Sequence, residues 1–324
     1  MRFGIMATGG IAQIFADTLK QVEGAKLYAV ASRTKEKADA FKQKNGFEKA
    51  YGSYLEMLLD PEVEIVYIAT PHSEHYENMK MCIENKKAIL CEKAFTMNAA
   101  QAKQIKKLAQ DNKVFVAEAL WPRYMPSRKI INDVLTSNII GTPKVLTGNL
   151  AYVIHQNKRL VDPNLAGGAL LDVGIYGLNF AFTHFGNDIK KIETSCVFYE
   201  TGVDGSENIT IHYNDGRIAT LTHSMYCRSD RKGIIYGDKG YMIVENINNP
   251  QCVDVYDCDD RLLEHHDIPK QISGYEYEIE ECMKCIKEGK LQADSISLDE
   301  SIELMETMDT IRSIWGLKYP QENN

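Results

Sequence analysis

The chain has 324 residues, 44% of them hydrophobic, which is enough for two packed cores rather than one. Its 45 acidic against 37 basic residues leave a formal charge of −8, which disfavours a nucleic-acid backbone or an anionic membrane surface as partner. No stretch approaches the roughly 20 consecutive apolar residues of a membrane span, and Met1-Arg2-Phe3-Gly4-Ile5-Met6 enters a strand pattern without signal-peptide features, so the chain reads as cytoplasmic.

The first 120 residues alternate short apolar runs with helical periods. Strands are expected at Arg2–Met6, Lys26–Ser32, Ile65–Ala69, Ala88–Cys91 and Val114–Glu118. Between them, Ile11, Ile14, Phe15, Thr18 and Leu19 share one helix face, as do Tyr76, Met79 and Ile83, and then Ala102, Ile105, Leu108 and Ala109. Strand and helix in repetition imply parallel strands joined by crossover helices, an α/β doubly wound Rossmann sheet over residues 1–122. The rhythm changes after Trp121-Pro122-Arg123. A helix at Ser127–Thr136, a strand near Lys144–Val153 and a helix opened by Asp172 come next. Asn214-Asp215-Gly216 then marks a turn between strands Ile209–Tyr213 and Ile218–His223, and Gly233–Tyr236, Tyr241–Glu245 and Val253–Asp257 continue the strand pattern. Helical periods through Tyr275, Ile279, Cys282, Met283 and Ile286, and through Leu298, Ile302, Met305, Met308 and Arg312, close the chain. Residues 123–324 therefore read as an α+β domain on a largely antiparallel, open sheet.

Chemistry concentrates in four segments. Thr8-Gly9-Gly10-Ile11-Ala12 follows the first strand and opens the first helix, where glycines let a pyrophosphate reach backbone N–H groups at the positive end of the helix dipole. The fingerprint is G-x-G-x-x-A with Ala7 in place of its first glycine. Ser32-Arg33 ends the second strand, where a carboxylate would select NAD. A hydroxyl and a guanidinium, with Lys37 four residues on, favour the 2′-phosphate of NADP instead; Arg33 also fits a solvated charge or an adenine stack. Cys91-Glu92-Lys93 lies at the carboxyl end of a strand, where open α/β sheets hold ligands and a lysine could hydrogen-bond a nicotinamide ribose and support proton transfer, although a lysine simply ending a strand fits too. Finally, Asp172 and Tyr176 stand four residues apart in Gly167-Gly168-Ala169-Leu170-Leu171-Asp172-Val173-Gly174-Ile175-Tyr176, and so share a helix face. A phenol beside an ammonium is a workable acid/base; an N-cap aspartate with a packed tyrosine is the plainer alternative.

Together these segments resemble the glucose–fructose oxidoreductase/myo-inositol dehydrogenase (Gfo/Idh/MocA) family, in its glucose–fructose oxidoreductase and dimeric dihydrodiol dehydrogenase branch. Phe3-Gly4-Ile5, Thr8-Gly9-Gly10-Ile11-Ala12, Ala69-Thr70-Pro71-His72 with His75, Glu92-Lys93, Glu118-Ala119-Leu120-Trp121-Pro122-Arg123 and Gly168 through Tyr176 carry the likeness across essentially the whole chain. The resemblance implies Tyr176 as proton donor or acceptor, Lys93 as its electrostatic partner and Asp172 as a substrate-orienting carboxylate. It also implies Thr70, Pro71, His75, Glu92, Trp121 and Arg123 around the cofactor. Ala94 departs from the usual proline after Glu-Lys, and His72 stands where asparagine is commoner. His72-Ser73-Glu74-His75 lacks a third metal ligand and reads as a cofactor-side loop. Cys282-Met283-Lys284-Cys285 lies in a helical pattern without a second ligand pair, so no metal is expected.

The expectation is an NADP-dependent dehydrogenase or reductase acting on a sugar, polyol or diol, assembled as a homodimer or homotetramer. A glycosidase using a held nicotinamide for transient oxidation, and a non-catalytic cofactor-sensing protein, are the alternatives. No G-x-S-x-G elbow supports a serine hydrolase.

Overall fold

The computed structural model describes residues 1–323 and divides into two compact units, 1–124 with 271–305 and 125–270 with 306–324. The first contains six strands: β1 (Arg2–Met6), β2 (Lys26–Ala31), β3 (Lys49–Tyr51), β4 (Ile65–Ile68), β5 (Ala88–Glu92) and β6 (Val116–Ala119). They form one sheet in the order β3-β2-β1-β4-β5-β6, every pair parallel. Helices α1 (Gly10–Leu19), α2 (Lys35–Asn45), α3 (Tyr54–Leu58), α4 (His72–Glu84) and α5 (Ala99–Asn112) make the crossovers. All four residues of β4 are fully buried, as its unbroken apolar run requires of a strand covered on both faces. The sequence reading does not find β3 or α3, because a half-buried Lys-Ala-Tyr strand has neither alternation nor an apolar run.

The second unit contributes α6 (Pro126–Thr136), β7 (Pro143–Ala151), α7 (Lys158–Val161), α8 (Ile175–Phe185) and the strands β8 (Ile189–Phe198), β9 (Asp204–Tyr213), β10 (Ile218–Ser224), β11 (Gly233–Gly237), β12 (Gly240–Val244), β13 (Cys252–Asp257) and β14 (Leu262–Asp267). These strands order as β14-β13-β12-β11-β7-β10-β9-β8, antiparallel except for β7 beside β10. One face buries Leu146, Leu150, Ile209, Ile211, Ala219, Leu221, Ile235 and Met242. The helical stretch 163–185 has the length and composition of a membrane span, which a count of consecutive apolar residues does not register. Yet 89% of its most apolar window is buried within the protein, as in a core helix. Asp172 does not open that helix. A π-helical turn covers Leu170–Gly174 ahead of α8, and the Leu170 N–H donates to the Asp204 carboxylate at 2.6 Å, so a side chain from β9 supplies the cap.

Helices α9 (Glu276–Lys287) and α10 (Leu298–Trp315) follow. A single boundary at 122/123 leaves both in the second domain, but the structure returns residues 271–305 to the first unit. The reasons are specific contacts. The Val116 N–H donates to Leu291 O at 3.0 Å, Thr18 Oγ1 lies 2.7 Å from Ser273 Oγ, and Trp121 stacks on Tyr275 with centroids 4.7 Å apart. Helical periodicity records that a helix has an apolar face, not which core receives it.

At the β1–α1 junction Ala7 has φ +82°, the left-handed region, and its N–H donates to Ala31 O at 2.9 Å. A Cβ there costs about 1–2 kcal/mol, partly offset by the smaller entropy that alanine loses on folding compared with glycine, about 0.4–1 kcal/mol. Ala7→Gly is therefore expected to stabilise the protein by about 0.5–1 kcal/mol, read as a higher urea midpoint at unchanged slope. A lowered midpoint would mean that the turn does not strain Ala7.

Candidate functional site

The glycine turn is built by β1 ending where α1 begins. Gly9, the residue before α1, is extended (φ −80°, ψ −174°), and no side chain caps the helix. Gly9 and Gly10 are exposed, and a Cβ at either would meet no protein atom within 4 Å. Thr8 and Ile11 flank them half-buried. Uncapped N–H groups facing open space at the positive end of a helix suit a pyrophosphate, and so these residues fit a dinucleotide.

At the end of β2, Ser32 is buried and its N–H donates to Tyr51 O at 3.2 Å. Arg33 and Lys37 are exposed, and neither forms an ion pair among the described residues, whereas Lys35 between them pairs with Asp39. Two uncommitted cations beside a hydroxyl make an acceptor for an anionic group.

Past β4, Pro71 precedes α4 with Thr70 buried before it, and Thr70 Oγ1 accepts from Asn78 at 2.9 Å. His72 is buried and its ring meets that of His75 edge-on at 5.7 Å. His75 has no exposed surface, and its Nδ1 and Nε2 each lie 2.9 Å from a backbone carbonyl, of Ala94 and Thr70 respectively. It acts on the loop carrying Lys93 from behind. Phe95 N–H donates to Glu118 at 3.0 Å on the same loop, and Tyr124 donates to the Glu118 carbonyl at 2.7 Å. Half-buried Lys93 thus sits in a loop held on both sides. Burial pushes the Glu118 carboxyl up to about 7. Glu92 accepts from the Tyr67 hydroxyl. Trp121 and Arg123 are buried in the first unit, Arg123 paired with Glu300 at 2.9 Å, and both hold the returning segment.

In the second unit, Asp172 and Tyr176 are 9% and 6% exposed. Arg159, which the sequence reading misses, donates to Asp172 at 2.9 Å. Glu118 belongs to a segment that carries the family likeness, but neither Asn78 nor Arg159 stands in a motif that marks it, since each is defined by the side chain it meets. One grouping with metal-ligand geometry occurs among the described residues: Cys252, Asp254 and His265, whose donor atoms lie within 4.8 Å of one another. His265 is already bonded through both ring nitrogens, to Asp254 at 2.6 Å and Asp267 at 3.2 Å. Those carboxylates raise its pKa, which favours imidazolium over a ligand.

Residues 1–120 match the oxidoreductase family with an NAD-binding Rossmann fold, and residues 129–243 match the GFO/IDH/MocA C-terminal domain. Over 99% of its length the chain is 34% identical to the D-xylose 1-dehydrogenase (NADP(+)) of Hypocrea jecorina, 93% of which is covered. It is 31% identical to the trans-1,2-dihydrobenzene-1,2-diol dehydrogenase of Mus musculus, with 99% of each covered. A 3-ketoreductase from Actinomadura kijaniata shares the fold at TM-score 0.88 and 21% identity, covering 97% of both chains. An aldose–aldose oxidoreductase from Caulobacter crescentus does so at 0.87 and 17%, covering 97% of this chain and 96% of that one. The chain belongs to the GFO/IDH/MocA oxidoreductase family.

Proposed function

We propose that the protein is an NADP-dependent dehydrogenase or reductase that interconverts a hydroxyl and a carbonyl on a sugar, polyol or diol. The uncapped glycine turn followed by the uncommitted Arg33 and Lys37 carries the cofactor reading. The substrate class rests on the full-length relatives that act on D-xylose and on a dihydrodiol. The nicotinamide, when bound, accepts or supplies the hydride. Thr8, Gly9, Gly10 and Ile11 receive its pyrophosphate, and Ser32, Arg33 and Lys37 the 2′-phosphate. Thr70, Pro71 and His72 border it, while His75, Glu92, Trp121 and Arg123 support that border from within the unit. Tyr176 exchanges the proton of the substrate hydroxyl, Lys93 supplies the charge that favours its phenolate form, and Asp172, steadied by Arg159, orients the substrate.

A second copy of the chain is proposed to cover the open sheet face. Val145, Tyr236, Tyr241, Tyr256 and Leu262 lie side by side in cross-strand register there, with Val145, Tyr236 and Leu262 exposed. A cytoplasmic setting is supported by eight cysteines that are all free thiols.

In fluorescence titration NADPH should bind at least tenfold more tightly than NADH, about 1.4 kcal/mol, and Arg33→Ala should remove the preference. Equal affinities in the wild type would refute the 2′-phosphate site. With D-xylose or trans-1,2-dihydrobenzene-1,2-diol and NADP, Tyr176→Phe and Lys93→Met should each lower kcat by about 10²–10⁴ at unchanged NADPH affinity. Wild-type turnover in either variant would discard the catalytic pair. Light scattering should give a dimer or tetramer, and Tyr241→Asp should shift it towards monomer; a wild-type monomer would remove the pairing.

A further inference from the structure

Beneath the segment that carries Asp172 and Tyr176 lies a group of ionisable side chains with no role in the reaction as described. Asp204 and Glu207 on β9 and His223 on β10 are 0%, 3% and 0% exposed. Glu207 and His223 are direct cross-strand neighbours, and His223 Nδ1 lies 2.8 Å from Glu207 Oε1. Asp204 Oδ1 and Glu207 Oε2 are buried without a hydrogen-bond partner, so a proton on either carboxyl costs less than a second buried charge.

Each of these side chains enters a notch left by a glycine of the overlying segment. A Cβ on Gly168 would stand 2.1 Å from Asp204 Oδ1, one on Gly174 2.2 Å from Glu207 Oε1, and one on Gly177 2.0 Å from His223 Nε2. The other Asp204 oxygen accepts the Leu170 N–H. Three side chains thus meet three glycines along one helical stretch, too close for any other residue. The Asp204–Leu170 hydrogen bond is directional, and side chains seated in three glycine notches leave the segment no room to slide or turn without a clash.

We propose that Asp204, Glu207 and His223 form a buried polar platform that fixes the register and rotation of residues 168–177, and are thereby positioning residues for Asp172 and Tyr176. The second half of that statement rests on the catalytic reading above; the first half does not. The platform is neutral when protonated. Burial drives both carboxyls up, Asp204 further through Glu207, and drives His223 down, so the imidazole stays uncharged. The other titratable groups that act on it are Tyr226, Tyr319 and Cys196, all with raised pKa values. No cationic group faces the pair among the described residues that act on it. The folded platform keeps protons that the unfolded chain releases in the ordinary carboxylate range. Its contribution is therefore complete on the acid side and is lost as pH rises through the raised pKa values.

The test is hydrogen exchange by mass spectrometry on peptides covering 168–177 in the full-length protein. Glu207→Leu is of comparable size but cannot accept from His223, whereas Glu207→Gln keeps a carbonyl in the same place to do so and cannot ionise. Exchange in 168–177 should quicken at least tenfold in the leucine variant, with the six-stranded sheet unaffected, and stay at the wild-type rate in the glutamine variant. Should the leucine variant not fold, the comparison is wild type against Glu207→Gln from pH 6 to pH 9.5, corrected for intrinsic exchange. Wild-type protection should fall at alkaline pH while the glutamine variant holds its own. Wild-type protection in a folded leucine variant, or identical pH profiles, would overturn the platform. Turnover of D-xylose with NADP separates the two readings. Tyr176→Phe should abolish turnover and leave exchange unchanged, while a folded Glu207→Leu should lower kcat at least tenfold with NADPH affinity within twofold of wild type. If Tyr176→Phe stays active, the catalytic reading falls and the exchange result still decides the platform. If only Tyr176→Phe affects turnover, positioning by the platform is refuted.

Discussion

Helix α1 begins without a side-chain cap, and much of the first unit is arranged around that omission. Free N–H groups at a helix start are costly to bury and useful only if kept pointing at something. The helix is accordingly secured elsewhere along its length. Phe15, on its inward face, stacks on Tyr67 of β4 with centroids 3.6 Å apart and planes 6° from parallel. The Tyr67 hydroxyl in turn donates to Glu92 at the end of β5, next to Lys93. One stack of rings and one hydrogen bond therefore tie the phosphate turn to the strand end that carries the proposed catalytic lysine. Thr18, one turn further along α1, is tied to Ser273 of the returning segment. The far end of the helix is anchored so that its first turn can stay bare.

Glycine serves opposite purposes in the two units, and the difference lies in what a Cβ would meet. At Gly9 and Gly10 it would meet nothing, so the missing side chain opens space outward for a ligand. At Gly168, Gly174 and Gly177 it would collide with buried oxygen or nitrogen atoms, so the missing side chain admits another part of the protein. The second arrangement places carboxyl groups where apolar packing would serve stability as well or better. Their place in a core makes sense as a device for orientation, because the Asp204–Leu170 hydrogen bond specifies an angle and the glycine notches specify a register.

The parallel sheet is legible because β4 is apolar throughout, β1 and β5 are so but for one charged end residue each, and all three alternate with helical periods. The glycine turn was legible because its chemistry is local in sequence. What escaped was whatever depends on contacts between distant residues. Asp172 looked like a helix start because aspartate favours that position, yet Asp204, 32 residues further on, takes the role from a neighbouring strand. His75 looked like a cofactor neighbour, and its burial turns it into a clamp on Thr70 and Ala94. Ala94 in place of proline looked like a loosened loop; His75 and Glu118 supply the restraint from outside the loop. The return of residues 271–305 follows the same logic, since nothing in the period of α9 names the sheet it covers.

A chain of net charge −8 that takes a 2′-phosphate, as proposed, needs its field there to be local. Screening at physiological salt acts over roughly 8 Å, so distant carboxylates matter little at the end of β2 compared with the cations in place there. Of the basic residues between Arg33 and Lys37, Lys35 is spent on Asp39, an i,i+4 partner on the exposed face of α2. Arg33 and Lys37 are left over, with Ser32 where a carboxylate would repel a 2′-phosphate. Which lysine is neutralised matters more than how many the chain has. A single acidic residue placed to pair with Arg33 would cancel the selectivity while leaving the composition almost unaltered. On the proposed reading, cofactor choice is a property of a few side chains at one strand end, and is compatible with an acidic surface elsewhere.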